Sequence, residues 1–393
     1  MRKLLASLLM ILTLLSLPAS TYKHIKDPVT ITSARMEGMG GAGLALASSN
    51  DALYVNPAGL ASKRFALSIL DFSATVYNAG DVYDSGVLQD WIDDDTDTII
   101  SDALDLIDSF GSYNKLGRID AGLSLAVRGF GFGFAIQDTV YTYSPGLALS
   151  TSLIDKLNVM FTVGYGRRFY LPYRLTLDAG LSISFNYLAY NEAVGASAIA
   201  NNYDDFEGYA KYDMPIFAGF SVPINAGLTL NTPVGISAAM VLSNINGTYY
   251  MSTYEGYSEL LRSLGDSDTL TGHDFKLKTD AQLAAGLGWE STRYRLFRPA
   301  VALDFVDIVG LAKEGLSLRN LFGHARFGLE AELLTFLTLR GGISQGYWTL
   351  GFGIDFKVLR IDVAYFNEEY GAEYGTRPVD GLTVRVKLGL QER

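Results

Sequence analysis

Residues 173–187 read YRLTLDAGLSISFNY. Tyr173, Leu175, Leu177, Ala179, Leu181, Ile183, Phe185 and Tyr187 fall on one alternation, and Arg174, Thr176, Asp178, Gly180, Ser182, Ser184 and Asn186 on the other. An extended chain sends successive side chains to opposite faces, so this stretch predicts a strand with one lipid-compatible face and one polar face. It runs well beyond the roughly five or six residues usual for soluble strands. That length, with aromatic residues at its ends, suits a membrane barrel with interfacial girdles.

The same alternation recurs along the chain. Phe130, Phe132, Phe134 and Ile136 oppose Gly131, Gly133, Ala135 and Gln137; Trp348, Leu350, Phe352, Ile354 and Phe356 oppose Thr349, Asp355 and Lys357. About 14 strands are predicted, near 66–77, 117–128, 130–141, 157–168, 173–190, 216–230, 234–245, 277–289, 297–308, 322–333, 335–344, 347–357, 358–367 and 380–390. An even number suits a single-chain antiparallel barrel. The connections alternate: long near 78–116, 142–156, 191–215, 246–276, 309–321 and 368–379, short between them. The exception is the turn at Gln345-Gly346, which is short on the long-loop side. Short periplasmic turns and longer outer loops are the habit of outer-membrane barrels.

Composition narrows the class. The chain is 49% hydrophobic with 41 glycines, yet past residue 20 no apolar run approaches the 18 or so residues of a spanning helix. A bilayer core admits only helices or closed barrels. Residues 1–20 read as a cleaved signal peptide: Arg2 and Lys3, an apolar run over 4–17, then Pro18-Ala19-Ser20. An uncleaved anchor is the other reading. The lack of Cys excludes a lipid-modified cysteine, disulfides and thiolate metal sites, and a net charge of −11 argues against nucleic acid as partner. No cofactor or metal is expected. Asp93, Asp95 and Asp97 start like a calcium loop, but Thr98 and Leu104 stand where Gly and Glu are required. The long loops are acidic, and residues 99–110 and 254–264 carry helical spacing.

Residues 34–61, ARMEGMGGAGLALASSNDALYVNPAGLA, stand apart from the strands. Gly38 to Gly43 satisfy G-x-G-x-x-G, but no strand–helix context or following acidic residue supports a dinucleotide site. Small residues instead permit tight folding, Pro57 fixes its own φ and restricts Asn56, and Asn56 is suited to bonding nearby backbone. This Gly-rich segment ending in Asn56-Pro57-Ala58, ahead of serial amphipathic strands, resembles the N-terminal hatch of the FadL/TodX-like family of outer-membrane transporters for long-chain fatty acids and other hydrophobic compounds. The resemblance implies an all-β transmembrane barrel of 14 strands, a hatch inside the lumen over 21–64 and a barrel over 65–393. Asn56, Pro57 and Ala58 then map onto the hatch motif. PorV-like barrels of a secretion system share the signature and supply the alternative, an interaction barrel that binds partner proteins through acidic loops. The C-terminal Gln391-Glu392-Arg393 departs from the aromatic ending of many such proteins.

The expected function is passive uptake of hydrophobic molecules, with long-chain fatty acids foremost, by a monomer in the outer membrane in contact with lipid and lipopolysaccharide. Candidate ligand contacts are Leu53 and Tyr54 on the hatch and Arg326, Arg340, Arg360 and Arg385 on inward faces. The same faces carry Glu330, Glu332, Asp355, Lys357, Asp362 and Lys387, so an ion-pair ladder filling the lumen is the competing reading. Pro223, inside a predicted strand, marks either a sheet opening or a bulge. His24, His273 and His324 come with no nucleophile motif, so an enzyme is not expected.

Overall fold

The computed structural model describes residues 33–47, 51–62, 65–84, 114–143, 152–191, 205–264, 273–291, 296–371 and 375–391, with isolated positions between 194 and 202. The signal-like start, the acidic stretch 90–108 with its helical spacing over 99–110, and the last two residues lie outside them.

The wall is a closed antiparallel barrel of 14 strands. They are β1 Phe65–Tyr77, β2 Asn114–Val127, β3 Phe130–Tyr143, β4 Ser152–Tyr170 and β5 Thr176–Asn191. β6 comprises Ile216–Ser221 and Ile224–Asn231, β7 Ile236–Ile245 and Thr248–Tyr254, and β8 Phe275–Lys278 and Gln282–Glu290. The rest are β9 Phe297–Phe305, β10 Ala325–Leu333, β11 Leu337–Ser344, β12 Tyr347–Asp355, β13 Leu359–Glu369 and β14 Pro378–Gln391. Closure is made at β1, where Phe72 stands opposite Ala121 on one side and Val386 on the other. Strand pairing thus runs the full circuit of the wall among the described residues, as a bilayer requires.

The faces divide as the alternation dictates. Phe132, Phe161, Phe185, Leu287, Leu350 and Val384 are exposed on the outside. Ser73, Thr139, Thr162, Ser184, Thr349 and Thr383 are buried on the inside. Exposed aromatics gather near the short-turn rim: Phe130, Tyr165, Phe169, Tyr170 and Phe297. Phe130 and Tyr165 meet across β3 and β4 with ring centroids 4.8 Å apart.

Several boundaries differ from the sequence expectation, among them the start of β4 at Ser152 and the end of β9 at Phe305, and three of the differences have a plain local reason. β5 begins at Thr176 rather than Tyr173, because Pro172 opens a tight turn in which Tyr173 and Arg174 both take φ 60°. Residues 318–324 form a helix rather than the start of β10, and Ser317 Oγ caps it by accepting from Asn320 N at 3.1 Å. The connection expected over 246–276 is shorter, since β7 continues to Tyr254 and β8 starts at Phe275. The helix expected there is present as Tyr257–Ser263, with Leu260 packed on Ala189, Ile216 and Ala218. The Gln345-Gly346 turn joins β11 and β12 directly, with φ 54° and 88°, the positive pair that a two-residue hairpin needs.

Pro223 is a bulge. The register of β5 against β6 is the same on both sides of it, with Asn186 opposite Ser221 and Ile183 opposite Ile224. Its carbonyl accepts from Ser184 N at 3.0 Å. The irregularity lies on the β7 side, where Asn244 and Asn246 take φ 58° and 62° and the register slips.

Candidate functional site

The segment 33–62 lies against the inner face of the wall and contributes no strand to it. Ser33 Oγ caps a short helix, Ala34–Gly38, by accepting from Met36 N at 3.4 Å. Gly40 and Gly41 then turn the chain with φ 66° and 77°, angles open to glycine at no steric cost. A 3-10 turn at Leu44–Leu46, a helical turn at Ala52–Val55 and a second 3-10 stretch at Pro57–Ser62 complete it. Its apolar side chains seat on inward glycines. Leu53 and Leu60 lie over Gly131 and Gly164, where an added Cβ would come within 2.9 Å of them. The FGFGF run of β3 thereby has a reason: phenylalanine faces lipid, and glycine leaves room for Leu53 and Leu60.

Asn56 joins three elements. Its Nδ2 donates to Leu44 O at 2.9 Å and to Thr229 Oγ1 of β6 at 3.0 Å, and its Oδ1 accepts from Ala58 N at 3.1 Å. It is 1% exposed. Gly227 sits where any side chain would run into Asn56 Oδ1. A buried polar group left unpaired costs about 1–3 kcal/mol. Asn56→Ala is therefore expected to raise amide exchange at Ala58 by about tenfold or more, with the β5–β6 ladder unchanged. Equal exchange in the two proteins would show that Asn56 does not hold the segment.

Charged contacts fix the remaining sides. Asp304, fully buried on β9, accepts from Gly43 N at 2.6 Å and Leu44 N at 2.9 Å. Arg35 forks onto Glu330 at 2.9 and 2.8 Å, and Glu37 meets Arg118 at 2.5 Å. Asp51 lies 3.4 Å from Arg385, which in turn forks onto Asp71 at 2.5 Å. Burial alone would raise the Asp51 carboxyl, but Arg385, Lys387, Arg35 and Arg360 outweigh it and hold it at about 2. For Arg35, burial disfavours the charge, yet Glu330 pushes the guanidinium above its ordinary value.

The sequence candidates separate into distinct surroundings. Leu53 is buried among Ala52, Leu60, Ala66 and Ala126. Tyr54 packs beside it and lines an open cavity with Asp71, Ser73 and Asp120; burial raises its phenol well above the ordinary value. Arg340 is fully buried between Glu330 at 2.7 Å and Asp362 at 2.8 Å. Arg360 also grips Asp362, at 2.7 Å. Arg326 donates to the carbonyls of Gly323 at 2.7 Å and Ala325 at 3.0 Å. Glu332 pairs with Arg298 of β9, and Lys387 lies 3.7 Å from Asp71. Arg340 and Arg360 thus share Asp362 across β11 and β13, and Arg385 and Lys387 of β14 gather on Asp71 of β1. His324 holds Val306 O at 2.9 Å and Glu314 at 3.2 Å, His273 stacks edge-on with Tyr250, and His24 lies outside the described residues.

Sequence reasoning passed over Asp304, Thr229, Asp51, Asp71, Arg35 and Arg118. The available signal was a lone carboxylate in the apolar run VALDF for Asp304, and charge within an otherwise small-residue segment for Arg35 and Asp51.

No protein-family model and no curated protein matches the sequence. Among solved structures, the CymD monoaromatic hydrocarbon channel is similar over 92% of this chain and 97% of its own, at 11% identity and TM-score 0.49. The Ralstonia pickettii toluene transporter TbuX is similar over 92% and 98%, at 13% identity and TM-score 0.47. A Pseudomonas aeruginosa FadL homologue is similar over 92% and 99%, at 12% identity and TM-score 0.42. At these identities and scores the likeness remains one of architecture, and the fold rests on the strand pairings themselves.

Proposed function

We propose that this chain is an outer-membrane channel for passive uptake of hydrophobic molecules, with long-chain fatty acids as the substrate. In this reading residues 1–20 are a signal peptide, 21–64 a movable hatch and 65–393 the barrel, acting as a monomer amid lipid and lipopolysaccharide. The observation that carries the reading is the relation of segment to wall. The sheet closes on itself without residues 33–62, while those residues are held inside it by side-chain contacts through Asn56, Asp304, Arg35 and Asp51. Such a filling can shift without breaking the ladder. Asn56, Pro57 and Ala58 would lock it, and Leu53 and Tyr54 would present its apolar side to solute.

Lateral exit through the wall would involve the sector of β6 to β8, where each strand is interrupted once. The partner-protein alternative relies on acidic loop residues that lie mainly outside the described residues. The test is uptake of labelled oleate and toluene by cells carrying the gene and by a deletion strain. Faster uptake of either with the gene is expected; equal uptake of both would remove the reading.

A further inference from the structure

The segment 33–62 does not meet the wall in the same way all round. Inward glycines of β3, β4, β5, β6, β8, β10, β11 and β12 bring it into close contact. Toward β1, β2 and β13 it packs without such glycines: Leu53 and Leu60 sit on Ala66 and Ala126, and the helix Ala34–Gly38 lies against β13. Ion pairs add to these contacts, and two open cavities lie on this sector, both bordered by Asp51 and Arg385.

The second cavity opens between the β12–β13 turn, the start of β1 and the end of β14, at the short-turn end of the barrel. Five cationic side chains line it (Arg35, Lys357, Arg360, Arg385 and Lys387) against three aspartates. Counting Arg340, Asp71 and Glu330, which pair with these groups from just outside, cations still lead six to five. The surplus is local. Arg385 forks onto both Asp71 oxygens at 2.5 Å, and the Lys387 ammonium, 3.7 Å away, is too far for a hydrogen bond there. Lys387 is 16% exposed at its side chain, with three donors to place. Lys357, in the β12–β13 turn, is in no ion pair among the described residues. Leu67, Val358 and Leu390 give the same cavity an apolar edge.

We propose that this cavity is a binding site for the anionic head of an amphiphile, a carboxylate with an alkyl tail, on the short-turn side of the hatch. Lys387 and Lys357 supply the charge-assisted hydrogen bonds, and the apolar edge takes the first part of the tail. This deepens the uptake reading and rests on it: among hydrophobic solutes, the protein favours those that carry a negative charge. The apolar edge is what favours an amphiphile over a free inorganic anion.

The test uses the full-length mature protein in a neutral detergent, titrated calorimetrically with octanoate, 1-octanol and inorganic phosphate. Octanoate is expected to bind at least about tenfold tighter than either other probe. Lys357→Gln/Lys387→Gln, checked for a native heat-modifiable gel shift, is expected to lose about tenfold for octanoate and nothing for octanol. Lys357→Gln alone, at an exposed turn, should lose part of it and keeps the test open if the double variant fails to fold. Unchanged octanoate affinity in the variants overturns the site, as does phosphate binding as tight as octanoate. Octanol binding without octanoate preference overturns the anion site and leaves the uptake reading standing. Absence of binding by both octanoate and octanol, with no uptake by cells, overturns both.

Discussion

Removal of residues 21–60 is expected to leave a barrel that folds in detergent and keeps its heat-modifiable gel shift. In planar bilayers it should conduct more than the intact chain, on the order of tenfold, given the lumen a 14-strand wall encloses. The wall's backbone bonds run strand to strand around the full circuit, including the β14–β1–β2 closure, and closure satisfies them without help from within. What the deletion removes is side-chain seating: Leu53 and Leu60 on glycines, and the partners of Asp304, Glu330, Arg118 and Arg385. Those groups would then face a water-filled lumen, where an unpaired charge is hydrated and costs little. An unfolded product would make the segment part of the wall's stability. A folded product with unchanged conductance would mean that the passage is blocked elsewhere.

The wall was legible because its determinant is local. Alternation over residues 130–137 or 347–356 already states which side meets lipid, and a one-residue slip would turn every side chain to the wrong face. The strand ends were less so, since they depend on turn chemistry: Pro172 displaces Tyr173, and Ser317 diverts residues 318–324 into a helix. Asn56 could be singled out within its own motif, and its bond to Ala58 N is of the short-range kind that turn asparagines make. Its contact with Thr229 spans 173 positions and has no sequence signature. The same holds for Asp304 with Gly43 and for Arg35 with Glu330. Charges on inward faces were readable as a set, but which pairs form depends on how the segment sits across the lumen. The sequence favoured an ion-pair ladder over ligand contact for the inward charges as a set, and only the three-dimensional arrangement shows the Arg340 guanidinium enclosed by Glu330 and Asp362.

Arg340→Ala is the substitution expected to cost the wall most, about 3–5 kcal/mol, read as a lowered midpoint of urea unfolding in detergent. Arg340 has no side-chain exposure, and Asp362 and Glu330 have 4% and 14%. Removing the arginine leaves two carboxylates in a space with little access to water, one still held by Arg360 and the other by Arg35. The loss comes chiefly from stranding those charges, since a desolvated pair and its apolar replacement are often close in free energy. The pair of carboxylates therefore supplies the control. Arg340→Met combined with Glu330→Gln and Asp362→Asn should regain only part of the midpoint, because it relieves the facing carboxylates but takes Arg35 and Arg360, 16% and 29% exposed, from their partners. A ligand-contact role predicts the opposite order: Arg340→Ala would leave the midpoint in place and weaken binding of an anionic solute alone. Arg385→Ala offers a graded comparison, since its side chain is 10% exposed and Lys387 stands near to take over Asp71. Its midpoint should fall less than that of Arg340→Ala, and equal losses would show that burial does not set the cost of breaking this ladder.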